Sequence, residues 1–144
     1  MGISICIASG KGGTGKTTLS ANLGVALGEI GKNIIILDAD IEMANLALHF
    51  GLEGTAITLH MVLSGESNIQ DVIYEGPAGV KVVPSGISLY SLIKVDPDRL
   101  GGVLQELMKT VDILLIDAPA GLGKSAVVAL ASTQEVILIV NPDI

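Results

Sequence analysis

Tryptophan is absent from this chain, and one phenylalanine and two tyrosines are its whole aromatic content. A base-stacking platform for single-stranded nucleic acid has almost nothing to be built from. Basic residues are also few: eight Lys and Arg stand against fifteen Asp and Glu, the net charge is −7, and no segment concentrates the cations. A protein that grips duplex phosphates draws on clustered Lys and Arg, so this balance argues against DNA as a partner. Cysteine occurs once, at Cys6 inside the apolar stretch ISICIA, which excludes an internal disulfide and leaves a cysteine metal site without its other ligands. Cys6 reads as core packing. No apolar run approaches the length of a membrane span, and Met1 leads almost directly into a strand, with no room for the basic region and cleavage site of an export signal. A cytoplasmic location is expected.

What is present suffices for one domain over residues 1–144: the chain is 49% hydrophobic and can bury a sizeable core. It shows no internal repeat, low-complexity tract or linker. Its most informative stretch is GKGGTGKT, Gly10 to Thr17, which fits G-x-x-x-x-G-K-[ST]. In that motif backbone N–H groups surround phosphates, the lysine next to the final Ser or Thr reaches their outer oxygens, and the hydroxyl can hold Mg²⁺. Lys16 and Thr17 fill those places. Gly10, Gly12, Gly13, Thr14 and Gly15 complete the loop, and Lys11 is a second lysine for which the ordinary motif has no use.

The surroundings are those the motif needs. Ile3 to Ala8 is a short apolar run suited to a strand covered on both faces, the loop follows at once, and from Lys16 a helix is expected. Leu19, Leu23, Leu27 and Ile30 form its apolar side, and Gly31 ends it. NIIILD (33–38) is a second buried strand, ending in carboxylate, and a parallel sheet collects ligands at the C-terminal ends of its strands. Asp38 and Asp40 therefore point toward the loop. Helices are expected from Met43 to Phe50, from Thr58 to Leu63, and after Asn68 with Ile69, Val72 and Ile73 as its apolar side and Gly76 as its stop. VKVV (80–83) is a third strand. Asp96-Pro97 starts a helix whose stripe is Leu100, Val103, Leu104, Leu107 and Met108. DILLID (112–117) and EVILIV (135–140) are the last buried strands. Alternating strands and helices give an α/β fold, a three-layer α/β/α sandwich of the P-loop NTPase type with a mostly parallel sheet.

Asp117, at the end of an apolar strand far downstream of the loop, has the form of the carboxylate that supports Mg²⁺ beside the phosphates. Ala118 to Gly123, rich in small residues, fits either a phosphate-sensing switch or an ordinary strand-to-helix turn. His49 and His60 lack neighbours at metal-ligand spacing and read as surface or partly buried packing residues. Tyr74 and Tyr90 are isolated. No Ser/His/Asp or Cys/His arrangement is evident.

Taken together, GKGGTGKTT (10–18), LDADIEMANL (37–46), IDAPAGL (116–122) and NPDI (141–144) resemble the MinD/ParA family of deviant Walker A ATPases, and within it the archaeal versions of the division-site-positioning branch. The resemblance implies ATP or ADP and Mg²⁺ as ligands and an ATP-dependent homodimer as the working unit. It gives Lys11 the role of the signature lysine, which reaches phosphate bound by the other subunit; the alternative is a solvated loop lysine. By the same resemblance Lys16 is catalytic, Thr17 binds Mg²⁺, Thr18 contacts the α-phosphate, and Asp117 acts through a metal-bound water. Asp38 supports the metal region, Asp40 positions the attacking water, and Asn45 belongs to the switch segment. A regulator or cargo protein is implied as partner. The chain stops where family members continue, without the region that contributes to adenine recognition and without the membrane-targeting helix common in that branch. It is therefore expected to be a C-terminally short ATPase domain, cytoplasmic, with peripheral membrane contact in an intact form. Two rival readings are a DNA-partitioning ATPase, disfavoured by the acidic balance, and a cluster-handling relative, disfavoured by the single cysteine. A third is a nucleotide-holding fragment without turnover.

Overall fold

The computed structural model describes residues 1–86 and 95–142. Tyr90 and the last two residues of the NPDI segment lie outside the described residues. The apolar runs become strands β1 (Ile3–Ser9), β2 (Ile34–Asp38), β4 (Lys81–Val83), β5 (Ile113–Asp117) and β6 (Glu135–Ile139), and Tyr74–Glu75 adds a two-residue β3. The helices are α1 (Lys16–Glu29), α2 (Leu46–Phe50), α3 (Leu59–Leu63), α4 (Leu100–Met108) and α5 (Lys124–Ala131).

One six-stranded sheet runs in the order β3-β4-β2-β5-β1-β6. All its pairings are parallel except β3 with β4. Alternation along the strands separates two cores. Ile34 and Ile36 of β2 and Leu115 of β5 face Ala21 of α1 and Leu46 of α2, while Ile35, Leu37, Leu114 and Ile116 face Leu59 and Leu63 of α3, Leu104 and Leu107 of α4 and Ala129 of α5. Helices thus cover both faces, which is why the inner strands read as continuous apolar runs rather than alternating ones. No described helix is long and apolar enough to cross a membrane.

Several elements depart from the expectations, each for a visible reason. The stripe assigned to α1 is half right: Leu23 and Leu27 pack against the core, but Leu19 and Ile30 are exposed, and the buried positions are Lys16, Ser20, Ala21 and Gly24. This helix meets the sheet through small residues. A Cβ added at Gly24 would overlap the Ile36 side chain, so the separation is set by backbone rather than by leucines. Helix α2 begins at Leu46 instead of Met43, because the backbone N–H groups ahead of it are taken by side chains: Met43 donates to Asp40 Oδ1 and Asn45 to Asp38 Oδ2. The segment after Asn68 is a single 3₁₀ turn, Ile69–Val72, followed by β3. Asp96 does cap the next helix, accepting from Asp98 N at 3.0 Å, but Pro97–Arg99 is 3₁₀ before α4 starts. Strand β6 forms as expected yet is not buried: among the described residues it is an edge strand paired only with β1, and Val136, Ile137 and Leu138 are exposed.

Candidate nucleotide site

Parallel register brings the ends of β1, β2 and β5 together, with Asp117 opposite both Ile7 and Asp38. The chain leaves β1 at Ser9 and turns through Gly10–Gly15 before entering α1. Gly13 and Gly15 have φ of 72° and 88°, a conformation that a side chain strains, so the glycines at these places are required by the turn. Gly15 caps α1 without a side-chain hydrogen bond, leaving the first-turn N–H groups of a 14-residue helix aimed out of the protein.

These groups open onto a cavity of about 390 Å³ lined by Lys11 to Thr18, by Asp40 from the β2 side, and by Asn45, Leu48 and His49. An added Cβ at Gly12, Gly13 or Gly15 would meet nothing within 4 Å, so the loop encloses open space rather than packing against a neighbour. Thr14 Oγ1 is buried and meets no hydrogen-bond partner among the described residues. Uncapped amides and an orphaned hydroxyl, with two lysines beside them, make a lining that suits a phosphate chain. Gly10 lies outside this cavity and, with Lys11 and Thr14, lines a second opening beside Leu138 to Asn141 at the end of β6.

Beneath the loop lies Asp117, 1% exposed. Its Oδ2 accepts from Thr17 Oγ1 at 2.7 Å, its Oδ1 accepts from Ser20 Oγ at 3.0 Å, and Lys16 Nζ stands 3.5 Å from Oδ1. No group of three or more His, Cys, Asp or Glu among the described residues could cage a metal. Mg²⁺ needs no such cage, being held by one or two protein groups together with substrate phosphates. Thr17 and Asp117 offer the kind of oxygen donors such an ion takes, with hydroxyl and carboxylate 2.7 Å apart.

Asp38 is fully buried, and its oxygens are occupied by backbone: Oδ1 accepts from Asp40 N at 3.0 Å, and Oδ2 from Asn45 N at 3.2 Å and Leu46 N at 3.1 Å. What Asp38 does here is fold the segment that carries Asp40 back over the sheet. Burial, and secondarily the Asp117 charge beside it, push its carboxyl up to about 7. Asp40 is half-buried and projects into the cavity. Lys11 is exposed at the rim, on the loop whose Lys11 carbonyl accepts from Ser9 Oγ at 2.9 Å. The segment after β5 is tied to that same strand end, Gly121 N donating to Ser9 O at 3.1 Å.

Three polar residues have a closer relation to the site than their sequence context suggested. Ser20, which no sequence motif marks, is buried with its hydroxyl on Asp117. His49 lines the cavity, with Nε2 3.5 Å from Thr18 Oγ1. His60 is neither at the surface nor merely packed: it is fully buried and hydrogen-bonded at both ring nitrogens. No local pattern announces these contacts, because each joins elements distant in sequence.

Comparison with known proteins agrees with this geometry. The family model described as AAA domain matches residues 2–144. An uncharacterized ATP-binding protein of Methanocaldococcus jannaschii is 54% identical over 144 residues, covering 100% of this chain and 54% of that protein. The septum site-determining protein MinD of Bacillus subtilis is 33% identical, covering 100% of this chain and 55% of that protein. Among solved structures, MinD of Pyrococcus horikoshii complexed with Mg-ADP superposes with a TM-score of 0.95 at 45% identity, covering 99% of this chain and 59% of that one. The chain spans about half the length of the relatives it matches. With loop, strand-end carboxylates and sheet order all in agreement, the chain belongs to the MinD/ParA family of deviant Walker A P-loop ATPases.

Proposed function

We propose that this chain is a Mg²⁺-dependent ATPase in which two copies close on ATP, so that hydrolysis times their association, and that the switch serves division-site or other intracellular positioning in the cytoplasm. The observation that carries the reading is the unequal placement of the two loop lysines. Lys16 is buried against Asp117, and Lys11 is exposed at the rim of the same cavity. A cation at the rim is placed to meet charge presented by a second copy, as an arginine finger supplied in trans does.

In this reading the loop amides and Lys16 bind the phosphate chain and exclude bulk water from one side of it. Mg²⁺, when bound, neutralises charge on the outer phosphates. Thr17 and Asp117 orient that region, Thr18 faces the α-phosphate, and Asp40 holds the attacking water, its carboxylate steadied by the Met43 N–H at 2.9 Å. The 118–121 segment, anchored on Ser9, passes nucleotide state to the face where a second copy or a regulator or cargo protein docks.

The test is ATP hydrolysis measured against protein concentration in Mg²⁺, with ADP affinity measured alongside. Specific activity that rises with concentration supports the reading, and Lys11→Ala is expected to keep ADP affinity within about twofold while lowering turnover about a hundredfold or more. Normal turnover in Lys11→Ala removes the trans role. Binding without turnover at any concentration makes the chain a nucleotide-holding unit instead.

A further inference from the structure

His60 stands where two loops at the C-terminal edge of the sheet come together, and its ring joins them. It lies in the first turn of α3 and is 0% exposed. Nε2 is 2.8 Å from the carbonyl oxygen of Ile41, the residue after Asp40. Nδ1 is 2.7 Å from the backbone nitrogen of Gly86, beyond the end of β4, with Ser85 Oγ at 3.3 Å. A carbonyl only accepts and a backbone N–H only donates, so the pair of partners fixes the neutral tautomer with hydrogen on Nε2. Burial also lowers the pKa of the ring below its usual value, in keeping with that neutral form.

The fit is close on both sides. A Cβ at Gly86 would stand 2.6 Å from Thr58 Oγ1 and 3.2 Å from His60 Nδ1, so the backbone approaches the ring where no side chain could. Leu59 N donates to Pro84 O at 2.9 Å, which locks the start of α3 to the same strand end. The ring is thus braced against β4 and reaches across to Ile41. On the other side of Ile41, Asp40 is held within its own turn, Asp40 N donating to Asp38 Oδ1 at 3.0 Å and Met43 N to Asp40 Oδ1 at 2.9 Å, while Ala39 N donates to Asp117 O at 2.9 Å and the Ile41 side chain is buried in the core. Those contacts shape the turn. The bond from His60 to the Ile41 carbonyl adds the hold on this turn from the α3 side.

We propose that His60 is a positioning residue for Asp40, holding the Ile41 carbonyl so that the Asp40 carboxylate stays at its place in the phosphate cavity. The inference rests on the ATPase reading for its catalytic consequence, but the positioning itself is measurable without turnover. A group displaced by about an ångström can lose on the order of a hundredfold in rate while binding barely changes.

Two isosteres divide the ring. In His60→Asn the side-chain oxygen falls near Nδ1, keeping the Gly86 bond and losing Ile41. In His60→Gln the amide nitrogen reaches the place of Nε2, keeping Ile41 and losing Gly86. Expected for His60→Asn are a kcat lowered about tenfold or more, with KM for Mg-ATP and ADP affinity within about twofold, and amide hydrogen exchange at Asp40 and Met43 about tenfold faster. His60→Gln restores both. If His60→Asn leaves kcat and the exchange of these amides unchanged, the proposal is overturned while the ATPase reading stands. If turnover falls in proportion to thermal stability in both variants alike, His60 is packing only. Should the parent chain show no turnover, the ATPase reading fails, and exchange at Asp40 and Met43 alone decides the positioning role.

Discussion

At the scale of single residues, the site is held together by charges that burial makes expensive to separate. Asp117 is 1% exposed and Lys16 9%. Removing the lysine leaves a carboxylate in the interior with only the Thr17 and Ser20 hydroxyls to stabilise it, and breaking a buried pair from one side costs about 3 kcal/mol or more. Lys16→Ala is therefore expected to lose ADP affinity by about a hundredfold and, with no nucleotide present, to lower stability to denaturant by about 3 kcal/mol. A variant as stable as the parent would show that the lysine is not paired before nucleotide arrives. The same interior protects Cys6, which is fully buried and whose thiol is pushed up to about 11 by burial first and by the Asp117 charge second. Thiolate is the reactive form, and at pH 8 roughly one thiol in a thousand would carry it. Iodoacetamide should leave Cys6 unmodified in the native chain and alkylate it in denaturant; labelling of the native chain would mean that β1 opens locally.

At the scale of elements, helix α1 explains both what could be read in advance and what could not. Its existence and start were legible, since the phosphate-loop pattern dictates a strand before it and a helix after it. Its buried face was legible only in part: Leu23 and Leu27 do pack against the core, but leucine periodicity says nothing of the closer approach through Ser20, Ala21 and Gly24. The carboxylates at the ends of β2 and β5 were legible as strand-end groups, whereas the use of Asp38 as a clamp on three backbone N–H groups depends on the folded path of 40–46. Long-range ring contacts such as that of His60 leave no periodic trace. The close approach of α1 makes a paired prediction. Alanine usually gains about 1 kcal/mol over glycine inside a helix. At Gly102 of α4, exposed with nothing within 4 Å of an added Cβ, Gly102→Ala should realise most of that gain. At Gly24 the new methyl overlaps the fully buried Ile36 side chain, and overpacking should reverse the sign, costing about 1–3 kcal/mol. Chemical denaturation of the two variants checks this, and a stabilised Gly24→Ala would show that α1 can ride outward from the sheet.

At the scale of the whole molecule, the proposed pairing must be told apart from a second surface through which copies could associate. One is the proposed nucleotide-dependent pairing across the cavity carrying Lys11. The other is the edge of the sheet: among the described residues β6 bonds only to β1, and Val136, Leu138 and Val140 are 48%, 63% and 72% exposed. Alternation puts these three on one face, beside an unpaired row of backbone donors and acceptors, and such an edge recruits other strands unless charge or proline interrupts it. Concentration-dependent behaviour could then arise without ATP and imitate the expected activity curve. A charge placed on the edge separates the routes, because lysine on an edge strand blocks strand addition while its stem still packs along the sheet. Sedimentation of Val136→Lys should show nucleotide-free association weakened about tenfold, with ATP-induced pairing and the melting temperature unchanged. If the nucleotide-free association survives the substitution, β6 is not its surface; if the ATP-induced pairing disappears with it, the two routes are one, and the dimer forms through the sheet edge rather than across the phosphate loops.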